Sequence, residues 1–125
     1  MSELKVTTLS NQSGVTVPVD TVISGTAKAW VNFNGTGTVA IRRAFNVSTI
    51  TDNGPGDYTV NFTTAMVDAN YSANVTADVG GAGDFAVAST GDNSTARTTS
   101  LVRTRIGTTS GSPADSTIVS VTIFS

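Results

Sequence analysis

Side-chain type alternates with period two along Ala27 to Ala77, in runs separated by turn-forming residues. That rhythm is the strongest constraint on what the chain can fold into. Ala27, Ala29, Val31 and Phe33 share one face of the first run, and Tyr58, Val60 and Phe62 share one face of a later run. Tyr71, Ala73, Val75 and Ala77 repeat the pattern. Successive side chains on a strand point to opposite sides, so each run buries one sheet face and leaves the other to water or to a partner. Residue choice agrees: Val, Ile and Thr supply 44 of the 125 residues and Leu only three. β-branched side chains pack well on a pleated surface and crowd a helix.

The breaks between runs are chemically explicit. Asn34-Gly35 with Gly37 suits a tight hairpin, and Asp52-Asn53-Gly54-Pro55-Gly56-Asp57 gathers most turn-forming residue types into one link. Gly80-Gly81-Ala82-Gly83 and Gly91-Asp92-Asn93 read as further turns, and Gly107 to Asp115 as a loop. Strands are predicted near 26–33, 37–43, 45–51, 57–64, 70–79, 84–89, 95–106 and 116–124. Eight short strands at this spacing predict an all-β body, an antiparallel, jelly-roll-like β-sandwich over 25–125. Thr63 to Ala69 is the nearest approach to a helix, but it is short and lacks an apolar stripe, so a connecting loop or a single helical turn is expected there.

Residues 1–24 read as an N-terminal segment apart from the body. One strand is expected over Leu4 to Leu9, then a polar break at Ser10 to Gly14, then the extended run VTVPVDTVIS, where Pro18 removes a ladder donor. This segment is either an attachment arm or one more strand of the body; the alternation of Val15, Val17 and Val19 serves both.

Composition excludes several functions. A net charge of −2 gives no basic footprint for a nucleic-acid backbone. Neither a long apolar run nor a secretory signal core is present, so no membrane insertion is expected. With no Cys and no His, the chain lacks a thiolate nucleophile, the usual zinc ligands and the usual general base near neutral pH. No cofactor and no catalysis are expected. A carboxylate-based glycosidase needs two acids facing each other across a cleft. Asp52, Asp57, Asp68, Asp78, Asp84 and Asp92 are available, but most fall in predicted turns, where Asp serves local backbone hydrogen bonding. Asp52, Asn53 and Asp57 do not match the spacing of a calcium loop, so no metal site is expected. Asn46-Val47-Ser48 and Asn74-Val75-Thr76 are chance glycosylation triplets in a chain without a secretory signal.

Three side chains stand out as candidate contacts. Trp30 shares parity with Lys28 and Asn32, opposite Ala29, Val31 and Phe33. It is a subunit-interface anchor, a stacking platform for a sugar ring, or core if both sheet faces are covered. Arg103 and Arg105 point the same way from one strand, with Arg42 and Arg43 on opposite sides of another. Such guanidiniums pair with carboxylates within the chain or across subunits, or meet anionic sugars. The last run, Ile118 to Phe124, is apolar on both sides and should lie inside a sheet or between protomers.

The wording of the central stretch adds a resemblance. AWVNFNGTGTVAIR (29–42), a Ser- and Thr-rich run, TDNG (51–54), GDYTVNFTTAM (56–66) and DANY (68–71) occur in this order. Over residues 27–77 the chain resembles a segment recurring in tail-fibre and receptor-binding proteins of tailed bacteriophages. The resemblance implies a β-rich homotrimer made and kept in the host bacterial cytoplasm until lysis and located in the virion tail, joined to other virion proteins through its N-terminal segment and adhering to a host surface glycan or protein. The family segment commonly lies near the end of much longer fibres, whereas about 26 residues precede it here. A capsid decoration or head-fibre protein contacting other coat subunits is therefore the alternative expectation.

Overall fold

A computed structural model describes residues 1–78, 86–90 and 96–125. Its elements in chain order are β1 (Thr8–Ser10), β2 (Thr16–Pro18), α1 (Val19–Gly25), β3 (Ala29–Asn34), β4 (Ala40–Phe45), β5 (Val47–Gly54), β6 (Asp57–Phe62), β7 (Ser72–Asp78), β8 (Ala86–Thr90), β9 (Leu101–Thr108) and β10 (Ile118–Phe124). The chain is mostly β and its sheets are antiparallel: β1-β2, β4-β3-β10-β7 and β5-β6-β9-β8. The turns expected at Gly80 to Gly83 and Gly91 to Asn93, with the adjoining ends of predicted strands, lie outside the described residues.

Period two becomes burial directly. Ala29, Val31 and Phe33 of β3, Val119, Val121 and Ile123 of β10, Tyr58, Val60 and Phe62 of β6, and Val102 and Ile106 of β9 are buried in one hydrophobic cluster. Both four-stranded sheets thus contribute their inner faces to a common core, each fully buried large apolar side chain stabilising by about 1.5–3 kcal/mol. Edge-to-face ring pairs tie the layers further: Phe33 with Tyr58 at 5.2 Å and Phe62 with Tyr71 at 5.8 Å. β10 lies between β3 and β7, which accounts for a terminal strand that is apolar on both sides, although Ile118 on its outer face stays exposed.

Asn46 alone carries the chain from β4 in one sheet to β5 in the other. Its φ is +54°, a region in which Asn is enriched among non-glycine residues. The side chain secures the corner. Asn46 Nδ2 donates to Lys28 O (3.0 Å) and Thr64 O (3.1 Å), and Oδ1 accepts from Thr64 N (2.7 Å). The triplet read as a chance glycosylation signal is therefore a structural corner. Thr63 to Ala69 forms bends and loop, as its missing stripe implied.

The N-terminal segment differs from expectation. Its strand is Thr8–Ser10 rather than Leu4 to Leu9, and it pairs with Thr16–Pro18 in a separate hairpin whose tip is organised by Asn11 Oδ1, accepting from Ser13 N and Val15 N. The run after Pro18 is helical, not extended. Val19, Val22 and Ile23 have helical spacing, Pro18 ends β2, and Asp20 sits in the first turn, where the helix dipole favours an acid. Those weak local signals were masked by the β-branched composition. No residue of α1 is buried.

Candidate functional site

The outer face of the β4-β3-β10-β7 sheet is the surface that carries Trp30. Across β3, Trp30 is paired with Phe45 of β4 on one side and Thr122 of β10 on the other, and Thr122 is in turn opposite Asn74 of β7. The next row runs Arg43, Asn32, Ser120 and Thr76, with Asn32 Nδ2 donating to Ser120 Oγ at 2.9 Å. Trp30 is half-buried and Phe45 is 54% exposed. Trp30 is thus not core: its neighbours Ala29 and Val31 take the inner positions, as parity required.

Phe45 and Arg43 reach this face because of a β-bulge. The pairing of β3 with β4 shifts by one residue between Asn32 and Phe33, and a one-residue slip exchanges the faces of everything beyond it. Counting outward from the hairpin without the bulge would have set Ala44 opposite Trp30. Ala44 instead packs on the core.

Arg103 and Arg105 lie elsewhere, on the outer face of the β5-β6-β9-β8 sheet, so the three candidate residues do not form one site. Asp57 is paired in register with Arg105 and lies diagonally next to Arg103. Arg103 donates from Nε to Asp57 Oδ1 at 2.7 Å and from Nη2 to Oδ2, and Arg105 Nη2 stands 3.7 Å from the same carboxylate. The hydrogen bond from Arg103 holds the Asp57 carboxyl below the usual carboxylate range, against the opposing effect of its burial. A shallow cleft of about 280 Å³ adjoins the pair, lined by Arg105, Gly56, Gly107 and Pro113 among others. Asn53 Nδ2 donates to Thr59 Oγ1 at 2.9 Å and more weakly to Asp57 Oδ1 at 3.4 Å, whereas Asp52 Oδ1 accepts from Gly54 N.

The two ends of the body differ in construction. At the end holding the β3–β4, β5–β6 and β9–β10 connections, the buried Tyr58 hydroxyl lies 2.7 Å from Asp115 Oδ1 and 2.9 Å from Gly35 O, with one proton to give. Asp115 Oδ1 also accepts from Gly56 N at 2.8 Å. Burial foremost, with the Asp115 carboxylate beside it, pushes the Tyr58 phenol well above its ordinary range and keeps it neutral. Of the residues expected to form this hairpin turn, Asn34, Gly35 and Gly37, it is Gly37 that takes the positive φ. Gly35 is needed for space, since a Cβ there would collide with the Tyr58 hydroxyl and lie 2.6 Å from its Cζ.

At the opposite end the arm enters. Lys28 Nζ donates to the carbonyls of Ile23 and Thr26, tying the C-terminal end of α1 to the start of β3. A cleft of about 520 Å³ opens there between Ile23 and the loop carrying Met66 and Val67. Leu4, Val6, Leu9, Val15, Val22 and Ile23 are all exposed along the arm. Of these aliphatic positions only Val15 stood out in the sequence, as part of the alternation with Val17 and Val19. No family model, no curated protein and no solved structure matches the chain.

Proposed function

We propose that the chain is a virion structural protein, a short tail-fibre or receptor-binding protein that attaches a phage to its host surface without catalysis. The proposed architecture is an antiparallel, jelly-roll-like β-sandwich, assembled as a homotrimer. β3 and β10, the first and last strands of the body, lie side by side, and the consecutive pairs β3–β4 and β5–β6 are hairpins. Closed threefold symmetry would cover open backbone edges such as that of β4, which pairs with β3 alone.

The observation that carries the reading is the exposed aliphatic arm at one end of a β body, opposite the end where the hairpin tips gather. An isolated two-stranded hairpin is marginal in water, and here the helix following it buries nothing. An arm of this kind is completed by another surface, in this reading a neighbouring virion protein, leaving the body free to face the host. Weak contacts then sum over several copies on one particle, so a deep pocket is not required. The sequence resemblance over 27–77 supplies the phage context.

Pre-incubating host cells with the full-length protein tests the reading: adsorption of the parent particle should fall with protein concentration. Undiminished adsorption together with a position on the capsid in virion images would overturn it in favour of a decoration or head-fibre protein.

A further inference from the structure

Two surfaces among the described residues differ in chemistry. The arm is aliphatic, the composition of a protein contact that becomes buried for good. The outer face of β4-β3-β10-β7 is not: around Trp30 and Phe45 stand Asn32, Thr122, Asn74 and Arg43. The Arg43 guanidinium makes no ion pair or hydrogen bond among the described residues. Contrast Arg103 and Arg105, whose charge is met by Asp57 on the other sheet.

We propose that this face binds an anionic saccharide. The inference rests on the attachment reading and names the ligand class of its host-facing surface. Each part of a sugar finds a counterpart here. The Trp30 and Phe45 rings offer apolar surface for the C–H face of a pyranose. Thr122 and Asn74 stand opposite one another on neighbouring strands, about 4.8 Å apart, with Asn32 one row along, so their hydroxyl and amides can meet polar groups on separate positions of a sugar chain. The Arg43 guanidinium presents a planar fork to a carboxylate or phosphate, at the edge of the aromatic patch. A second copy of the chain is the weaker occupant, because beyond two aromatic side chains the face is polar throughout its central rows and obligate subunit contacts are more apolar.

Trp30 is the sole tryptophan, so its emission reports on this face alone. The test titrates the full-length protein with short oligogalacturonate and its carboxyl-reduced form, and with the phosphorylated core oligosaccharide of an enterobacterial lipopolysaccharide and its dephosphorylated form. The expected result is a saturable change in Trp30 emission with one anionic sugar. Binding should be about tenfold weaker for the matching neutral form and for Arg43→Ala, and unchanged in Arg105→Ala. Which sugar binds distinguishes carboxylate from phosphate. Absence of a saturable change with both, equal binding of the neutral forms, or an unaffected Arg43→Ala variant overturns the proposal. So does conversion of an oligomer to monomer by Phe45→Ser in sedimentation, which would place the face between subunits. If the sugars fail to bind while the protein still blocks adsorption, this site falls and the attachment reading stands; if they bind and adsorption is unaffected, the reverse holds.

Discussion

Replacing Tyr58 by Phe isolates one buried hydroxyl and makes a two-part prediction. The ring, its edge-to-face contact with Phe33 and the surrounding cavity are kept. What disappears is a donor 2.7 Å from the Asp115 carboxylate and 2.9 Å from Gly35 O. A hydrogen bond to a charged group is worth about 1.5–3 kcal/mol net, and Asp115 keeps its bond from Gly56 N, so the cost at pH 7 is set at about 2 kcal/mol. For a body of about 100 residues that corresponds to a Tm lower by about 8 °C. The second part concerns alkali. Because the phenol is held above its ordinary value of 10.0, the unfolded chain releases this proton before the folded one does. The stability tied to it is complete below pH 10 and is lost as pH rises from there toward the folded value. The loss is about 1.4 kcal/mol at pH 11 and about 2 kcal/mol at pH 11.5. The variant has no such proton to lose, so the gap between wild type and Tyr58→Phe should close over that interval. Urea denaturation followed by far-UV circular dichroism at fixed protein concentration, from pH 7 to 11.5, measures both parts. A gap that stays constant with pH would refute the claim that burial holds Tyr58 neutral.

Three further outcomes are expected. Asn46→Gly retains the +54° φ but loses the side-chain bonds to Lys28 and Thr64, so thermal unfolding should show a loss of about 1–2 kcal/mol, and Asn46→Ala about 1 kcal/mol more from backbone strain. Asp57→Asn should cost about 1 kcal/mol at pH 7, because Arg103 lowers the folded pKa and the gain exists only above the unfolded value of 3.8. It fades as pH falls below that value, so acid titration of stability should bring the two proteins together near pH 2. Removing residues 1–26 should shift the Tm of the remaining body by less than about 2 °C, since α1 buries no residue; scanning calorimetry of the shortened chain measures this.

The β character and the inner faces were legible because period two survives any error in strand ends. Ala29, Val31 and Phe33, or Tyr58, Val60 and Phe62, are buried together wherever the strand is taken to begin. What could not be read was whatever depends on a single-residue offset or on a partner distant in sequence. The bulge opposite Asn32 decides that Phe45, and not Ala44, stands beside Trp30. The pairing of β6 with β9 decides that Arg103 and Arg105 meet Asp57, joining residues more than forty positions apart. The helix α1 had Asp20 and the spacing of Val19, Val22 and Ile23 in its favour, but seven residues carry too few turns for periodicity to outweigh β-branched composition. Asn46 looked like a surface triplet because nothing local says that the chain changes sheets there.

The contrast between the two ends has a mechanical consequence. Tyr58, Asp115, Gly56 and Gly35 lock three connections to the core at one end, so that end and the sheet faces running from it form one rigid unit. At the other end the arm is held to the body chiefly by Lys28 reaching the carbonyls of Ile23 and Thr26, an exposed contact with no buried side chain behind it. Exposed contacts of this kind contribute little, and few buried contacts mark a segment that moves at low energetic cost. If the arm docks on a neighbouring protein as proposed, the orientation of the body would be set by that partner rather than by the chain itself. Under the attachment function proposed above, a rigid recognition face on a compliant mount would let several copies on one particle seat on an uneven surface together, raising the effective concentration of each later contact once the first has formed. A stiff junction of equal length would give up that gain, since sites that cannot be reached simultaneously add nothing to one another.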